Sequence, residues 1–173
     1  HDLDIIGGFL LEENKEYVSD LLPRRMSEAF KLYWQEWEES CWVADIEETT
    51  DRGVVLQSSP PEPNSFPYQC DLTLQFFLAR THSVRDVVGG WNPKLKTTGE
   101  HWEFFYRCKE ADLRVAFSED LGAYHLPEDN NTYKKFRYEN EREMIIASLQ
   151  EHGLKYLDRG DDVFYNPEFT REE

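Results

Sequence analysis

Hydrophobic and polar positions alternate with a period of two through much of the middle of the chain, most clearly from Glu100 to Asp120. Trp102, Phe104, Tyr106 and Cys108 fall on one face of an extended segment, with His101, Glu103, Phe105 and Arg107 on the other. After a polar break at Lys109-Glu110-Ala111-Asp112, Leu113, Val115 and Phe117 alternate again, with Arg114 and Ser118 opposite. Alternation on both sides of a short polar turn predicts an antiparallel hairpin with one buried face.

The same period marks further strands. Leu3 to Ile6 reads as a short strand ended by Gly7-Gly8. Trp42, Ala44 and Ile46 alternate with Val43, Asp45 and Glu47. A turn over Thr49 to Gly53 then returns into Val54-Val55-Leu56, giving another hairpin. From Tyr68 to Arg80, Cys70, Leu72, Leu74, Phe76 and Leu78 oppose Asp71, Thr73, Gln75, Phe77 and Ala79, which predicts a central strand. Lys155-Tyr156-Leu157 and Val163-Phe164-Tyr165 flank Asp158-Arg159-Gly160-Asp161-Asp162 and predict a small closing hairpin.

Helical spacing appears at both ends. Leu10, Leu11, Asn14, Tyr17, Val18, Leu21 and Leu22 mark an amphipathic helix that Pro23 interrupts. Arg24 to Ser40 follows as a second helix, with Met26, Phe30, Tyr33, Trp34 and Trp37 as an aromatic stripe that suits packing onto a sheet. Thr81 or Ser83 can cap a short helix through Val88, stopped by Gly89-Gly90. Near the C-terminus Tyr138, Ile145, Leu149 and His152 share a helix face, and Gly153 is a natural stop. Ser58 to Pro67 reads as a stiff proline-rich connector, Trp91 to Gly99 as a loop, and Glu119 to Lys135 as an irregular segment. The expected fold is one α+β domain over residues 1–173. Its mainly antiparallel sheet, built from hairpins, packs against N-terminal helices and one C-terminal helix.

Charge changes the picture most. Thirty-five Asp and Glu against nineteen Lys and Arg leave a net charge of -16. Such a field repels nucleic-acid phosphates and anionic membrane surfaces and draws in basic proteins. The opening HDLDIIGGFLLEENK has acids where a secretory leader carries bases, so it does not read as a signal peptide. Cys41, Cys70 and Cys108 are far apart and form no CxxC pair, which predicts reduced, buried thiols and a cytoplasmic protein. The Asn130-Asn131-Thr132 sequon matters only for a secreted chain.

Candidate chemistry is sparse. His101 and Glu103, two residues apart on one strand face, could form an acid–base pair or share a metal, though two ligands do not make a site. Asp2-Leu3-Asp4 is a weak metal-binding pattern, and Asp158 to Asp162 lacks calcium-loop spacing. No phosphate-cradling glycine motif is present, and no cofactor or metal is expected. The resulting expectation is a non-enzymatic acidic protein that neutralises a basic partner such as a nuclease or toxin. Glu36, Glu38, Glu39, Glu128 and Asp129 are its candidate contacts. The alternatives are an adaptor using its aromatics or proline loop, and an enzyme centred on His101 and Glu103.

Overall fold

The computed structural model describes residues 3–12, 43–58, 67–73, 76–95, 99–125, 131–160 and 162–169. The strands are β1 (Ile5–Glu12), β2 (Ala44–Glu48), β3 (Gly53–Ser58), β4 (Tyr68–Gln69), β5 (Phe77–Ala79), β6 (Val115–His125), β7 (Tyr156–Asp158) and β8 (Val163–Tyr165). The helices are α1 (Glu100–Glu110) and α2 (Asn131–His152), with a short π-helical turn at Ser83–Val87. The fold is α+β.

The strands form two four-stranded sheets, in the orders β4-β6-β1-β5 and β2-β3-β7-β8. In each, a parallel central pair is flanked by antiparallel edge strands. The hairpins expected around Thr49 to Gly53 and around Asp158 to Asp162 are present as β2–β3 and β7–β8. The parallel pairs were not expected. Ile5 lies opposite Val115, and Gly53 lies opposite Tyr156. At Gly53 a Cβ would come within 2.0 Å of the Tyr156 ring, so this close parallel approach requires glycine.

One short segment joins the two sheets. Cys70 N–H donates to Val115 O in the first sheet, while Leu72 exchanges backbone bonds with Ala44 of the second, at 2.9 and 3.1 Å. Asp71 Oδ2 accepts from Ile46 N–H at 2.9 Å and from Lys109 Nζ at 2.6 Å. The outer edge of β2 is thereby covered by a side chain rather than left as a template for another strand.

α1 corrects the hairpin expected over Glu100 to Asp120. Trp102, Glu103, Phe104, Phe105, Tyr106 and Cys108 are all buried, and they cover the whole circumference of the helix. A helix buried nearly all round belongs inside a core. The core around it takes Ile5, Val115 and Phe117 from the first sheet and Ile46, Val54, Leu56 and Leu157 from the second. Ile145, Leu149 and Leu154 come from α2 and its end. The polar break does not turn a hairpin. It stops a helix: Leu113 N–H donates to Cys108 O and Asp112 N–H to Lys109 O, with Asp112 left-handed at φ 57°. Replacing Asp112 with glycine should stabilise the fold by about 0.5–1 kcal/mol, read from the urea midpoint, because a Cβ is disfavoured in this conformation.

The same stop closes α2, where Gly153 donates to Gln150 O and Leu154 to Leu149 O, as the sequence led us to expect at Gly153. Of the face expected for this helix, Ile145 and Leu149 are buried, but Tyr138 is 75% exposed. Three more expectations are corrected. Tyr68 to Arg80 is not one central strand: β4 and β5 lie at opposite edges of a sheet, with β6 and β1 between them. Glu119 to His125 is not irregular, because β6 continues there against Phe9 to Glu12. Leu10 and Leu11 belong to β1 rather than to a helix. The rest of that expected helix, the aromatic helix from Arg24 to Ser40 and most of the proline-rich connector lie outside the described residues. At the short helix, Ser83 spends its hydroxyl on Asp4 Oδ1 (2.8 Å) rather than on a cap.

Candidate functional site

Helical geometry separates His101 from Glu103. Two residues apart is about 200° on an α-helix, so the two side chains leave opposite sides of α1 and form no acid–base pair. His101 sits beside Glu100, 3.8 Å away, and packs edge-on against the Trp91 ring at 5.3 Å. Glu103 points inward and is only 1% exposed.

Glu103 is the centre of the described polar structure. Its Oε1 accepts from Arg107 Nε at 2.8 Å, from His152 Nε2 at 3.1 Å and from Asn92 Nδ2 at 3.4 Å; Oε2 accepts from Arg107 Nη2 at 3.0 Å. Arg107 lies one turn on from Glu103, the spacing at which helical side chains meet. The same guanidinium donates to Val88 O at 2.6 Å and Gly90 O at 2.9 Å. One fork thus ties α1 to the turn carrying Gly89 and Gly90, while His152 ties α1 to the end of α2. At the rim Glu151 accepts from Lys94 at 3.0 Å and from Asn92 at 3.1 Å. His152 Nδ1 faces Glu110 Oε2 at 3.9 Å, and its ring lies 5.1 Å from that of Tyr106.

Burial pushes the Glu103 carboxyl up, but the bonds from His152 and Arg107, the Arg107 charge and Asn92 together outweigh it. The group is held below its ordinary value. A carboxyl with a depressed folded pKa stabilises the fold fully above its unfolded value, about 4.3 for glutamate, and loses that contribution as pH falls below it. The melting-temperature gap between the wild-type chain and Glu103→Gln should therefore hold from neutral pH down to about 4–5 and shrink as the pH falls further. A constant gap would show that the charge on Glu103 contributes nothing.

Chemically, this constellation stores a charge. Both carboxylate oxygens accept from protein donors, so the carboxylate positions elements instead of presenting itself to a ligand. The thiols are equally inward: Cys70 and Cys108 are free and buried, and burial pushes the Cys108 thiol up to about 12 and that of Cys70 higher still. At neutral pH neither is a nucleophile. Among the described residues no three His, Cys, Asp or Glu are grouped to hold a metal, and no helix is long and apolar enough to cross a membrane.

Comparison of the chain with protein-family models, curated proteins and solved structures finds no match.

The five acids expected to contact a partner, Glu36, Glu38, Glu39, Glu128 and Asp129, all lie outside the described residues, as does Cys41. Asp4, from the weak N-terminal acidic pair, accepts from Ser83 Oγ and from Arg114 N–H at 3.1 Å, so it fastens strand ends together. Asp158 accepts from Gly160 N–H at 2.8 Å within the closing turn. Reading the sequence in strands missed Arg107, Asn92 and His152. The signal for the first was the Glu103–Arg107 spacing, which only a helix brings together.

Proposed function

We propose that this chain is a non-enzymatic acidic protein that binds, and by binding neutralises, a basic protein of the nuclease or toxin kind in the cytoplasm. One observation carries the reading. With 35 acids and 19 Lys and Arg, at least 16 carboxylates have no lysine or arginine of the same chain to pair with. Pairing within the fold leaves that surplus unchanged, because each described ion pair removes one cation and one acid together. Arg107 is spent on Glu103, Lys109 on Asp71, Lys94 on Glu151, Lys155 on Asp51 and Arg159 on Glu141. A cationic surface relieves crowded like charge and gains in association rate, by 10–10³-fold at low salt as an order of magnitude.

Glu36, Glu38, Glu39, Glu128 and Asp129 are the proposed contacts. Rim charges of this kind set the on-rate more than the off-rate. Reversing all five to lysine should slow association with the captured partner at least about tenfold and change dissociation much less. An unchanged on-rate removes these five from the interface. A second reading, an adaptor that docks through exposed aromatics, is favoured by Tyr133, Phe136 and Tyr138 on α2. It predicts binding that salt does not weaken.

A further inference from the structure

We infer that the outer face of the second sheet is the surface on which the basic partner docks, with Glu47 and Asp158 taking its cations and Val163 and Tyr165 covering their stems. Burial alternates along all four strands of the sheet β2-β3-β7-β8. Ile46, Val54, Leu56, Leu157 and Phe164 turn into the core, and the residues between them stay at least partly open to solvent. The strand register sets these outward residues in rows. Glu47 lies opposite Val55, Val55 opposite Asp158, and Asp158 opposite Val163, so acid and apolar side chains alternate across the whole sheet. In the next row Gly53, Tyr156 and Tyr165 are neighbours. Tyr165 is 50% exposed and Val163 37%, and Glu47 and Gln57 are exposed as well.

Charge selects the occupant. An open sheet face is ordinarily polar, with charges of both signs. This one carries two valines, two tyrosines, Gln57 and the carboxylates of Asp45, Glu47 and Asp158, and the alternation puts no lysine or arginine on it. Cations at its border are engaged already: Lys109 with Asp71, Lys155 with Asp51 and Arg159 with Glu141. Lys109 also acts on Asp45, so Glu47 and Asp158 carry the contact. Glu47 accepts from Gln57 Nε2 and Asp158 from Gly160 N–H, and neither has a cation among the described residues. Lysine and arginine suit such a face twice over, with the charged head on a carboxylate and the stem or guanidinium plane on a ring or a valine. The rings are set for it. Tyr156 spends its hydroxyl on Thr49 and Asp51, at 3.2 and 3.4 Å, and lies over Gly53 with its centroid 6.0 Å from that of Tyr165. A second copy of this chain does not fit, because its own face would set acid against acid. The assignment rests on the neutralising function proposed above, whose partner is basic.

The probe is a short synthetic peptide in which arginine alternates with threonine, titrated calorimetrically near physiological salt into the full chain and three variants. Glu47→Gln/Asp158→Asn removes the two charges, and the asparagine oxygen can still accept from Gly160 N–H. Val163→Thr/Tyr165→Thr removes the apolar cover and keeps a strand-forming residue at both positions. Glu139→Gln/Glu143→Gln removes the same amount of charge from α2. Both face variants should weaken peptide binding at least about tenfold, and the α2 variant by less than about twofold. All three should keep the circular dichroism of the native chain, because none of these residues is buried in the core. Equal weakening by Glu47→Gln/Asp158→Asn and the α2 variant overturns the inference, since the peptide then answers to net charge alone. So does a wild-type chain that does not bind the peptide, or a Val163→Thr/Tyr165→Thr variant that binds it unchanged. The site and the function fail separately. A basic partner held equally well by wild type and Glu47→Gln/Asp158→Asn leaves neutralisation standing and overturns this face as its dock, whereas a captured partner that is acidic overturns both.

Discussion

Arg107→Ala should destabilise the protein by about 3–5 kcal/mol, the usual cost of removing one partner of a buried ion pair. Three losses coincide. Glu103, 1% exposed, keeps its charge without its principal counter-ion, and the carbonyls of Val88 and Gly90 lose their donors. Asn92 and His152 remain as neutral-capable donors to Glu103 and cannot replace a guanidinium that bridges both of its oxygens. Two features make the expectation specific. Adding Glu103→Gln to Arg107→Ala should recover part of the loss, since an amide needs no counter-charge. The deficit of Arg107→Ala should also shrink in acid, where Glu103 can take up a proton and shed its buried charge. Chemical denaturation of the two variants at neutral and acid pH measures all of this.

Phe104→Ala and Phe105→Ala should each cost about 3–5 kcal/mol, and by similar amounts. Both side chains are fully buried. Phe104 packs against Phe77 at 5.8 Å and Trp91 at 4.5 Å between ring centroids, and Phe105 meets the Phe77 ring at 5.5 Å. The comparison distinguishes helix from strand. In the hairpin first expected for this stretch, adjacent side chains point to opposite faces, so one of the pair would be nearly free to change. Equal damage is the mark of a helix surrounded by core.

What could be read in the sequence follows from how local each interaction is. The β2–β3 and β7–β8 hairpins join neighbouring segments across short turns, and alternation with turn residues announces them. The α2 stop was equally legible, because Gly153 followed by Leu154 writes the helix end into two residues. The parallel pairs were not legible: the partner of Ile5 is Val115, and nothing near Ile5 names it. The central helix was misread for a different reason. When nearly every position from Trp102 to Cys108 is buried, the pattern fits a period of two as well as 3.6, and hydrophobicity stops discriminating. The deciding clue was polar, the one-turn spacing of Glu103 and Arg107. Glu119 to His125 concealed a strand because its sequence, EDLGAYH, shows no clean alternation, while its pairing with Phe9 to Glu12 is made by a segment more than a hundred residues away.

The polar centre shows the same limit. Glu103 and His101 stood out as ionisable neighbours, but their pairing depended on which element carried them. Once α1 is a helix, Glu103 turns to Arg107 and to His152 at the far end of α2. The acid surplus was legible from composition alone and needs no geometry, which is why it carries the functional proposal.

That proposal is tested most directly by capturing partners on the immobilised chain at roughly 50 mM and roughly 500 mM salt, on either side of the range where surface charge is screened. The account predicts a basic protein retained at low salt and released at high salt, whose own activity falls when this chain is added. A retained partner that is itself acidic, or one held equally well at both salt concentrations, would contradict it.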